Sequence, residues 1–304
     1  MGLEFLLLTA ALTAIIAARY LIVSGLAFWL LWQRGGEKLA ARRLNRDRPM
    51  RRLIMQEIRL SLLSSAVYAA PAAFALQAWL HGATKIYTDW TAHGGALYLL
   101  FSAFAYLIMQ DSYYYWAHRL MHEPRLFKWL HAGHHKSRQP TPFASFAFDP
   151  AEALLTAWLL PAMVFLVPIH MALLIGLLML MTVTAVMNHS GWEMLPLSFV
   201  HGPIGRHLIS ATHHSLHHTR FDANFGLYFR FWDRLMGTDA MPKHDFDPSK
   251  AAGRPKKTNA QGPEGAQIFD PEQQIRREDG DRFAIMAAPK EAATGLTLSE
   301  TQSY

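Results

Sequence analysis

The sequence predicts an all-α fold, a polytopic membrane helical bundle of four or five membrane helices with a polar cap on the cytoplasmic side. Three observations predict it. Hydrophobic residues make up 51% of the chain and charged residues only 17%. The apolar residues are grouped in long runs, comparable with the roughly twenty residues that an α-helix needs to cross a bilayer. Basic residues are concentrated between these runs, as is typical of cytoplasmic loops.

The first crossing is predicted at residues 3–32. This run has neither the basic start nor the short apolar stretch of a cleaved signal peptide, so we expect a retained anchor. Residues 33–52 carry eight arginines and lysines, and the positive-inside rule places such a loop in the cytoplasm. A second crossing follows at residues 59–80. Residues 1–94 are therefore predicted to form N-terminal membrane helices joined by a basic cytoplasmic loop.

Two further apolar regions return the chain to the same side. Residues 95–116 predict a third crossing that ends in the cytoplasm. Residues 151–188 predict a helical hairpin that turns at Val167-Pro168. Residues 242–304 are rich in proline, glycine and charged residues and show no sustained hydrophobic period, so they predict a flexible C-terminal tail.

Histidines form three clusters near the predicted cytoplasmic ends of these helices. His118 and His122 are four residues apart, which places both rings on one face of a helix. A second cluster has the spacing HxxHH, and the third ends with the same spacing. The second consists of His131, His134 and His135, and the third of His213, His214, His217 and His218. Such spacings let one backbone segment present several ring nitrogens to a common point.

The composition indicates which metal these clusters bind. The chain has no cysteine, so thiolate zinc sites and thiolate-bound iron–sulfur clusters are excluded and histidine and carboxylate are the strong ligands that are left. The HxxxH spacing and the two HxxHH spacings together contain eight histidines, more than one ion needs, which predicts two metal ions, and the donor set favours iron. The net charge of +6 fits loops that face anionic head groups, and no nucleic-acid-binding motif is present.

The stretch from residue 111 to residue 238 resembles the fatty acid hydroxylase/sterol desaturase superfamily of integral-membrane di-iron oxygenases, as a bacterial member. The resemblance is carried by motifs in the family's order: DSYYYWAHRLMH, LHAGHH, FDPAEALL, NHSG, HHSLHH, NFG and WDRLMGT. It implies a catalytic domain at residues 95–241. It also implies that eight histidines are metal-binding and catalytic, with His189 a ninth metal ligand. The eight are His118, His122, His131, His134, His135, His214, His217 and His218.

The resemblance leaves one position open and suggests partners for the ligand rings. Some relatives have a histidine where this chain has Glu193, which is here a ligand, a neighbouring acid or neither. Asp111 is expected to accept a hydrogen bond from a ligating ring, because such rings usually donate their other N–H to a carboxylate or carbonyl. Asp222 and Asn224 are weaker candidates for the same role.

The implied reaction is the hydroxylation of a lipid C–H bond, with O2 as co-substrate and two iron ions that cycle between Fe2+ and Fe3+. The substrate class stays open among fatty acyl, sterol-like and amino-acid-containing membrane lipids, and lipid or sterol desaturation is the alternative reaction. No cytochrome b5-like segment is fused to the chain, so we expect a separate electron donor such as a ferredoxin, cytochrome or reductase. The expected location is the bacterial inner membrane, with the metal site and the C-terminus in the cytoplasm. The sequence indicates no oligomeric state.

Two hypotheses from other functional classes, a metal transporter and a non-catalytic regulator, are alternatives to the enzyme. A metal transporter would place polar ligands near the middle of the membrane, whereas these clusters lie at helix ends. A non-catalytic regulator would have lost a cluster member, and none of the eight is missing. The isolated histidines are predicted to be surface or interface residues: His81, His93, His170 and His244. Hydrogen-bonding roles explain the three that lie near the third cluster: His201, His207 and His213.

Overall fold

The computed structural model describes residues 2–35, 37–45 and 47–241, without the side chains of residues 37 and 38. The tail predicted at 242–304 lies outside these residues. The all-α prediction is confirmed, since the described residues form ten α-helices and a single pair of two-residue strands. The helices are α1 (Gly2–Phe28), α2 (Arg51–Leu80), α3 (Ala96–Met121), α4 (Pro124–Leu130), α5 (Pro150–Ala157), α6 (Leu159–Leu166), α7 (Met171–Asn188), α8 (Leu197–Val200), α9 (Ala211–Arg220) and α10 (Phe231–Leu235).

Three of the described helices are long and apolar enough to cross a membrane, which makes the chain an integral membrane protein. They are α1 with its π-helical extension Trp29–Arg34, α2, and α7. The crossing predicted at residues 95–116 forms α3, which is long but less apolar because it contains Gln110 and Asp111. The first half of the predicted hairpin, α5 and α6, is a shorter apolar stretch. The number of four or five crossings therefore stays a prediction.

Helix α2 shows the side-chain arrangement expected in lipid. Its buried residues are small or polar, including Ser61, Ser65 and Ala69, each fully buried. Leu63 and Phe74 on the same helix are about half exposed, at 48% and 50%. Small residues inside let helices approach closely, while large apolar side chains face the acyl chains. The helix is thus built for a membrane and not for water.

The strands β1 (Ile86–Tyr87) and β2 (Ile169–His170) join the loop after α2 to the tip of the hairpin. They pair in parallel, Ile86 with Ile169 and Tyr87 with His170. His170 caps α7 by accepting a hydrogen bond from the Ala172 N–H, and its Nε2 contacts the Thr88 carbonyl at 3.0 Å. The hairpin predicted at 151–188 is present, with its turn anchored by this pairing.

Helices α1 and α2 hold the segment 141–148, which contains the 3-10 helix Pro142–Phe146, through side-chain hydroxyls. Tyr20 from α1 and Ser61 from α2 both donate to the Phe143 carbonyl, at 2.9 and 3.0 Å. Ser64 donates to the Phe148 carbonyl at 3.1 Å. Buried backbone carbonyls need donors, and these hydroxyls supply them. The N-terminal helices therefore fix the backbone of this segment.

The basic loop between α1 and α2 docks on the segment that follows α7. The N–H groups of Leu44 and Asn45 donate to the Gly191 carbonyl at 2.9 and 3.2 Å. Trp32 Nε1 donates to the Ser190 carbonyl at 3.0 Å. Gly191 has a φ of +76°, and a Cβ atom there would lie 2.5 Å from Asn45 Nδ2. This junction requires glycine both for its backbone conformation and for the close contact.

The substitution Gly191→Ala is expected to destabilise the protein more than Gly82→Ala. Both glycines have left-handed φ angles, +76° and +71°, but a Cβ atom at Gly82 would meet nothing within 4 Å. Gly82→Ala should therefore cost only the backbone strain, about 1–2 kcal/mol, whereas Gly191→Ala adds an overpacking cost of about 1–3 kcal/mol. Melting temperatures of the detergent-solubilised proteins measure the difference. Equal decreases in the two variants would contradict the docking described above.

Candidate metal centre

Nine histidines from four segments meet near the C-terminal ends of α3 and α7. Eight of them are buried and His122 is half-buried. They come from the end of α3, the segment after α4, the end of α7, and α9. In that order they are His118 and His122; His131, His134 and His135; His189; and His214, His217 and His218. These are the nine metal ligands predicted from the sequence.

Local sequence signals place these residues. Helix α3 ends at His122 because Pro124 follows two residues later and occupies the first position of α4. Gly133 lies so close to Asp149 that a Cβ atom would overlap its carboxylate, which accepts the Gly133 N–H at 2.6 Å. Helix α9 ends at Phe221, which has a left-handed φ of +61°. Turns at both helix ends thus return the chain to the centre.

The ring nitrogens fall into two groups, and within each group the ligand atoms lie within 4.8 Å of one another. The first group, called the five-histidine group, consists of His118, His122, His131, His135 and His217. The second, called the four-histidine group, consists of His134, His189, His214 and His218. The groups are adjacent, since the rings of His135 and His218 have centroids 4.8 Å apart. That these histidines bind metal stays a prediction.

Oxygen acceptors hold the Nδ1 atoms of five of the nine rings. Four of the acceptors are main-chain carbonyls: Phe225 for His118 at 3.0 Å, Ala147 for His134 at 3.2 Å, Ala185 for His189 at 2.8 Å and Ala223 for His217 at 2.7 Å. The fifth is the Glu152 carboxylate, 2.7 Å from His131 Nδ1. A neutral ring that donates its Nδ1–H keeps the lone pair on Nε2. These contacts select the tautomer that binds a metal through Nε2.

Burial keeps the rings neutral. Desolvation lowers the pKa of His131, His134, His135, His214 and His218 well below the ordinary value, and nearby imidazoles lower it further. The pKa of His189 and of His217 is lowered to about 4 by burial, against the opposing effect of the carbonyls that bind them. Neutral imidazole is the form that binds a metal.

The contacts between rings fit metal ions. His118 and His131 face each other through Nε2 at 3.0 Å, and both have their Nδ1–H committed to an oxygen. His134 and His189 do the same at 3.3 Å in the four-histidine group. Two facing lone pairs repel unless a cation lies between them. Ligands at about 2.1 Å from an ion and at right angles to one another would be about 3.0 Å apart, close to the distances seen.

Glu152 was not singled out in the sequence analysis. It lies within the FDPAEALL motif at the start of α5, is fully buried, and contacts His131 through Oε2. Its other oxygen, Oε1, has no hydrogen-bond partner among the described residues. Glu152 lies in the first turn of α5, after Asp149 and Pro150. The local sequence there does not indicate that Glu152 faces a histidine, because that contact depends on how α5 packs.

Two predicted partners of the ligand rings lie elsewhere. Asp111 was expected to contact a ligating histidine, but its Oδ1 accepts the N–H groups of residues 227–229 instead. Glu193 joins neither group. Its Oε2 accepts the N–H and the hydroxyl of Thr212 at 3.0 and 2.7 Å, where it caps the first turn of α9. The sequence predicted the region of the fold for these acids, but not their contacts.

The other two candidates also differ from the prediction. Asn224 is fully buried, and its amide donates to the His213 carbonyl while its Oδ1 accepts the Ala240 N–H. It therefore braces α9 without touching a ligand ring. Asp222 is exposed. His213 is buried, outside both groups, with Nε2 3.7 Å from the Asp233 carboxylate.

An open groove of about 790 Å³ runs beside α3 on the side of α10. It is lined by apolar side chains such as Phe104, Ile108 and Trp232, and also by Arg234. None of the nine histidines lines it. Its surface suits an acyl chain, but the groove does not include the metal-binding rings.

Fold and site together define an integral-membrane helical protein with a paired histidine centre. The family model described as "Fatty acid hydroxylase" matches residues 103–238, which include all nine histidines. The Delta(7)-sterol 5(6)-desaturase of Candida glabrata is 30% identical over 287 residues, covering 92% of this chain and 72% of that protein. The chain belongs to the fatty acid hydroxylase/sterol desaturase superfamily. This confirms the family predicted from the motifs, while bacterial origin stays a prediction.

Other relatives align over a shorter range. Lathosterol oxidase of Rattus norvegicus is 32% identical over 191 residues, covering 62% of this chain and 62% of the rat protein. Delta(7)-sterol 5(6)-desaturase ERG3A of Gibberella zeae is 33% identical over 217 residues, covering 68% of this chain and 59% of that protein. The chain thus matches less than two thirds of the length of these two relatives. No solved structure matches the chain.

The two groups should lose their ions independently. His217→Ala removes a member of the five-histidine group and His214→Ala a member of the four-histidine group, so each variant is expected to retain about one metal ion per chain and the double variant none. Metal content of the purified, detergent-solubilised proteins measures this. His81→Ala, in which an exposed histidine is lost, is the control and should match the parent protein. Complete loss of metal in either single variant would contradict two separable sites.

Proposed function

We propose that this protein is a membrane oxidoreductase that uses O2 and externally supplied electrons to oxidise a C–H bond of a lipid at a di-iron centre held by the nine histidines. The observation that carries the proposal is the pairing of two all-nitrogen groups, five of whose nine rings are fixed in the tautomer that leaves Nε2 free. Family membership supports the same class of chemistry.

Iron is the metal we propose, because the ligands are imidazoles and the chain has no cysteine. When bound, two iron ions that cycle between Fe2+ and Fe3+ supply the capacity to reduce O2 and to oxidise an unactivated C–H bond. The protein's own residues would bind the ions and orient the ligand rings. The carbonyls of Ala147, Ala223 and Phe225 and the carboxylate of Glu152 hold the rings, and burial of the centre keeps water away.

The substrate we propose is a membrane lipid, with hydroxylation as the first candidate reaction. The apolar side chains on the outer faces of α1, α2 and α3 face the bilayer, so a lipid can approach the centre from the membrane. Desaturation of a sterol-like lipid is the second candidate. It is favoured by the names of the relatives, lathosterol oxidase and Delta(7)-sterol 5(6)-desaturase.

We further propose that the centre lies on the cytoplasmic side of a bacterial inner membrane. The supporting contact joins the basic loop to the segment that follows His189, through Leu44, Asn45 and Gly191. Because the loop carries the positive charges that set orientation, the histidines would lie on the side of the loop. A separate ferredoxin, cytochrome or reductase would deliver electrons there.

The transporter and regulator hypotheses make different predictions from the enzyme hypothesis. Both histidine groups lie at helix ends, and their rings are held by fixed acceptors, an arrangement that supports a resident metal centre more than a transport path. A regulator would leave the lipids of the cell unchanged.

The test compares total lipid extracts, by mass spectrometry, from cells that express the protein and cells that express His217→Ala. We expect a lipid that gains one oxygen atom only with the parent protein, together with two iron ions in the purified chain. A lipid that loses two hydrogen atoms would instead favour desaturation. Unchanged lipids, with zinc or no metal in the purified protein, would contradict the proposal. His81→Ala serves as the matched histidine-to-alanine control.

A further inference from the structure

Two buried carboxylates take up five consecutive backbone N–H groups beside the five-histidine group. Asp233 in α10 accepts from Phe225 through Oδ1 at 2.8 Å and from Gly226 through Oδ2 at 2.9 Å. Asp111 in α3 accepts from residues 227, 228 and 229 at 3.2, 2.7 and 3.0 Å. Buried backbone N–H groups need acceptors, but carboxylates are costly to bury. The use of two carboxylates for residues 225–229 indicates a role beyond accepting hydrogen bonds from a buried loop.

One peptide group connects Asp233 to a ligand ring. The carbonyl of Phe225 and the N–H of Gly226 are the two ends of a single peptide unit. Its N–H donates to Asp233 Oδ2, and its carbonyl accepts from His118 Nδ1 at 3.0 Å. A charged acceptor polarises the peptide and makes its carbonyl a stronger acceptor. The chain carboxylate–peptide–imidazole has the same form as the carboxylate–histidine pairs that orient metal ligands.

The Asp233 carboxylate is held closely against this loop, with His213 Nε2 also 3.7 Å from Oδ2. Gly226 has no Cβ atom, and one built there would lie 2.9 Å from Asp233 Oδ2 and 2.6 Å from the Phe229 carbonyl oxygen. Thr238 donates its hydroxyl to Asp233 Oδ1 at 2.8 Å, which fixes the carboxylate. The equivalent peptide for His217, with the Ala223 carbonyl at one end, donates its Asn224 N–H to a main-chain carbonyl, that of Thr238. Among these two histidines, only His118 is linked to a carboxylate in this way.

We propose that Asp233 is a positioning residue of the five-histidine group, which orients the His118 ring through the Phe225–Gly226 peptide. In the four-histidine group, His134 and His189 are held by the carbonyls of Ala147 and Ala185, without a carboxylate. Asp111 fixes the same loop to α3, the helix that carries His118. The inference rests on the proposed binding of metal by these histidines.

The test is a titration of the metal-depleted, detergent-solubilised protein with Fe2+ under anaerobic conditions, which gives the affinity of each site. Asp233→Asn is expected to weaken one of the two sites by about 10- to 100-fold, the range typical when an outer partner of a metal ligand is removed, and to leave the other unchanged. Asp239→Asn is the matched control. It removes a carboxylate six residues later that pairs with Arg230 and Arg234 and touches neither the loop nor a ligand ring.

A double-variant comparison separates positioning from a general structural effect. If Asp233 acts through His118, Asp233→Asn should add little to the loss already caused by His118→Ala. Additive losses, equal weakening of both sites, or unchanged affinities in Asp233→Asn would overturn the proposal. If that variant does not fold, Asp233→Glu, which keeps the charge but moves the carboxylate, is expected to weaken the same single site. Failure of both to fold would show a role in the fold itself and also overturn it.

The same titration of the parent protein separates failure of the positioning role from failure of the proposed function. Two Fe2+ sites in the parent, together with unchanged sites in Asp233→Asn, would remove the positioning role and leave the proposed function standing. A parent protein that binds no iron would contradict the proposed function itself.

Discussion

The centre depends on oxygen acceptors for the Nδ1 atoms of five of its nine imidazoles. A metal ion can satisfy Nε2, but Nδ1 then requires an oxygen acceptor from the protein, because a buried N–H without a partner costs about 1–3 kcal/mol. Regular helix interiors use their own carbonyls and have few to offer. The acceptors for His118, His134 and His217 accordingly come from irregular backbone, at Phe225, Ala147 and Ala223.

Irregular backbone beside a membrane has to be supported in its turn. The segment 141–148 obtains its donors from Tyr20 on α1 and from Ser61 and Ser64 on α2. These helices lie outside the region that matches the family, residues 103–238. They are nonetheless part of the architecture of the site, since the Ala147 carbonyl that holds His134 belongs to the segment they fix. The burial of Ser61 and Ser64 in α2 is thus explained by the backbone carbonyls to which they donate.

The histidines could be located from the sequence, and their partners could not. The spacing of His118 and His122 follows from helix geometry, and the HxxHH clusters indicate convergence without any knowledge of packing. Glu152 and the Phe225 carbonyl hold rings that are distant in the sequence. A main-chain carbonyl is present in every residue, so the sequence cannot show which one accepts a hydrogen bond. Asp111 was predicted to accept a hydrogen bond from a ligating ring, but it accepts from backbone N–H groups instead. The histidine pattern predicts the ligands because they are side chains, whereas most of the acceptors that hold them are main-chain carbonyls.

The basic loop docks beside the four-histidine group. Asn45 Nδ2 donates to the Pro140 carbonyl at 2.8 Å, just before the segment that holds His134, and the Asn45 N–H donates to the Gly191 carbonyl, two residues after His189. One asparagine of the loop therefore joins the segments that position two members of this group. Because a single side chain and its own N–H make both contacts, docking of the loop and assembly of the four-histidine group are coupled in this fold.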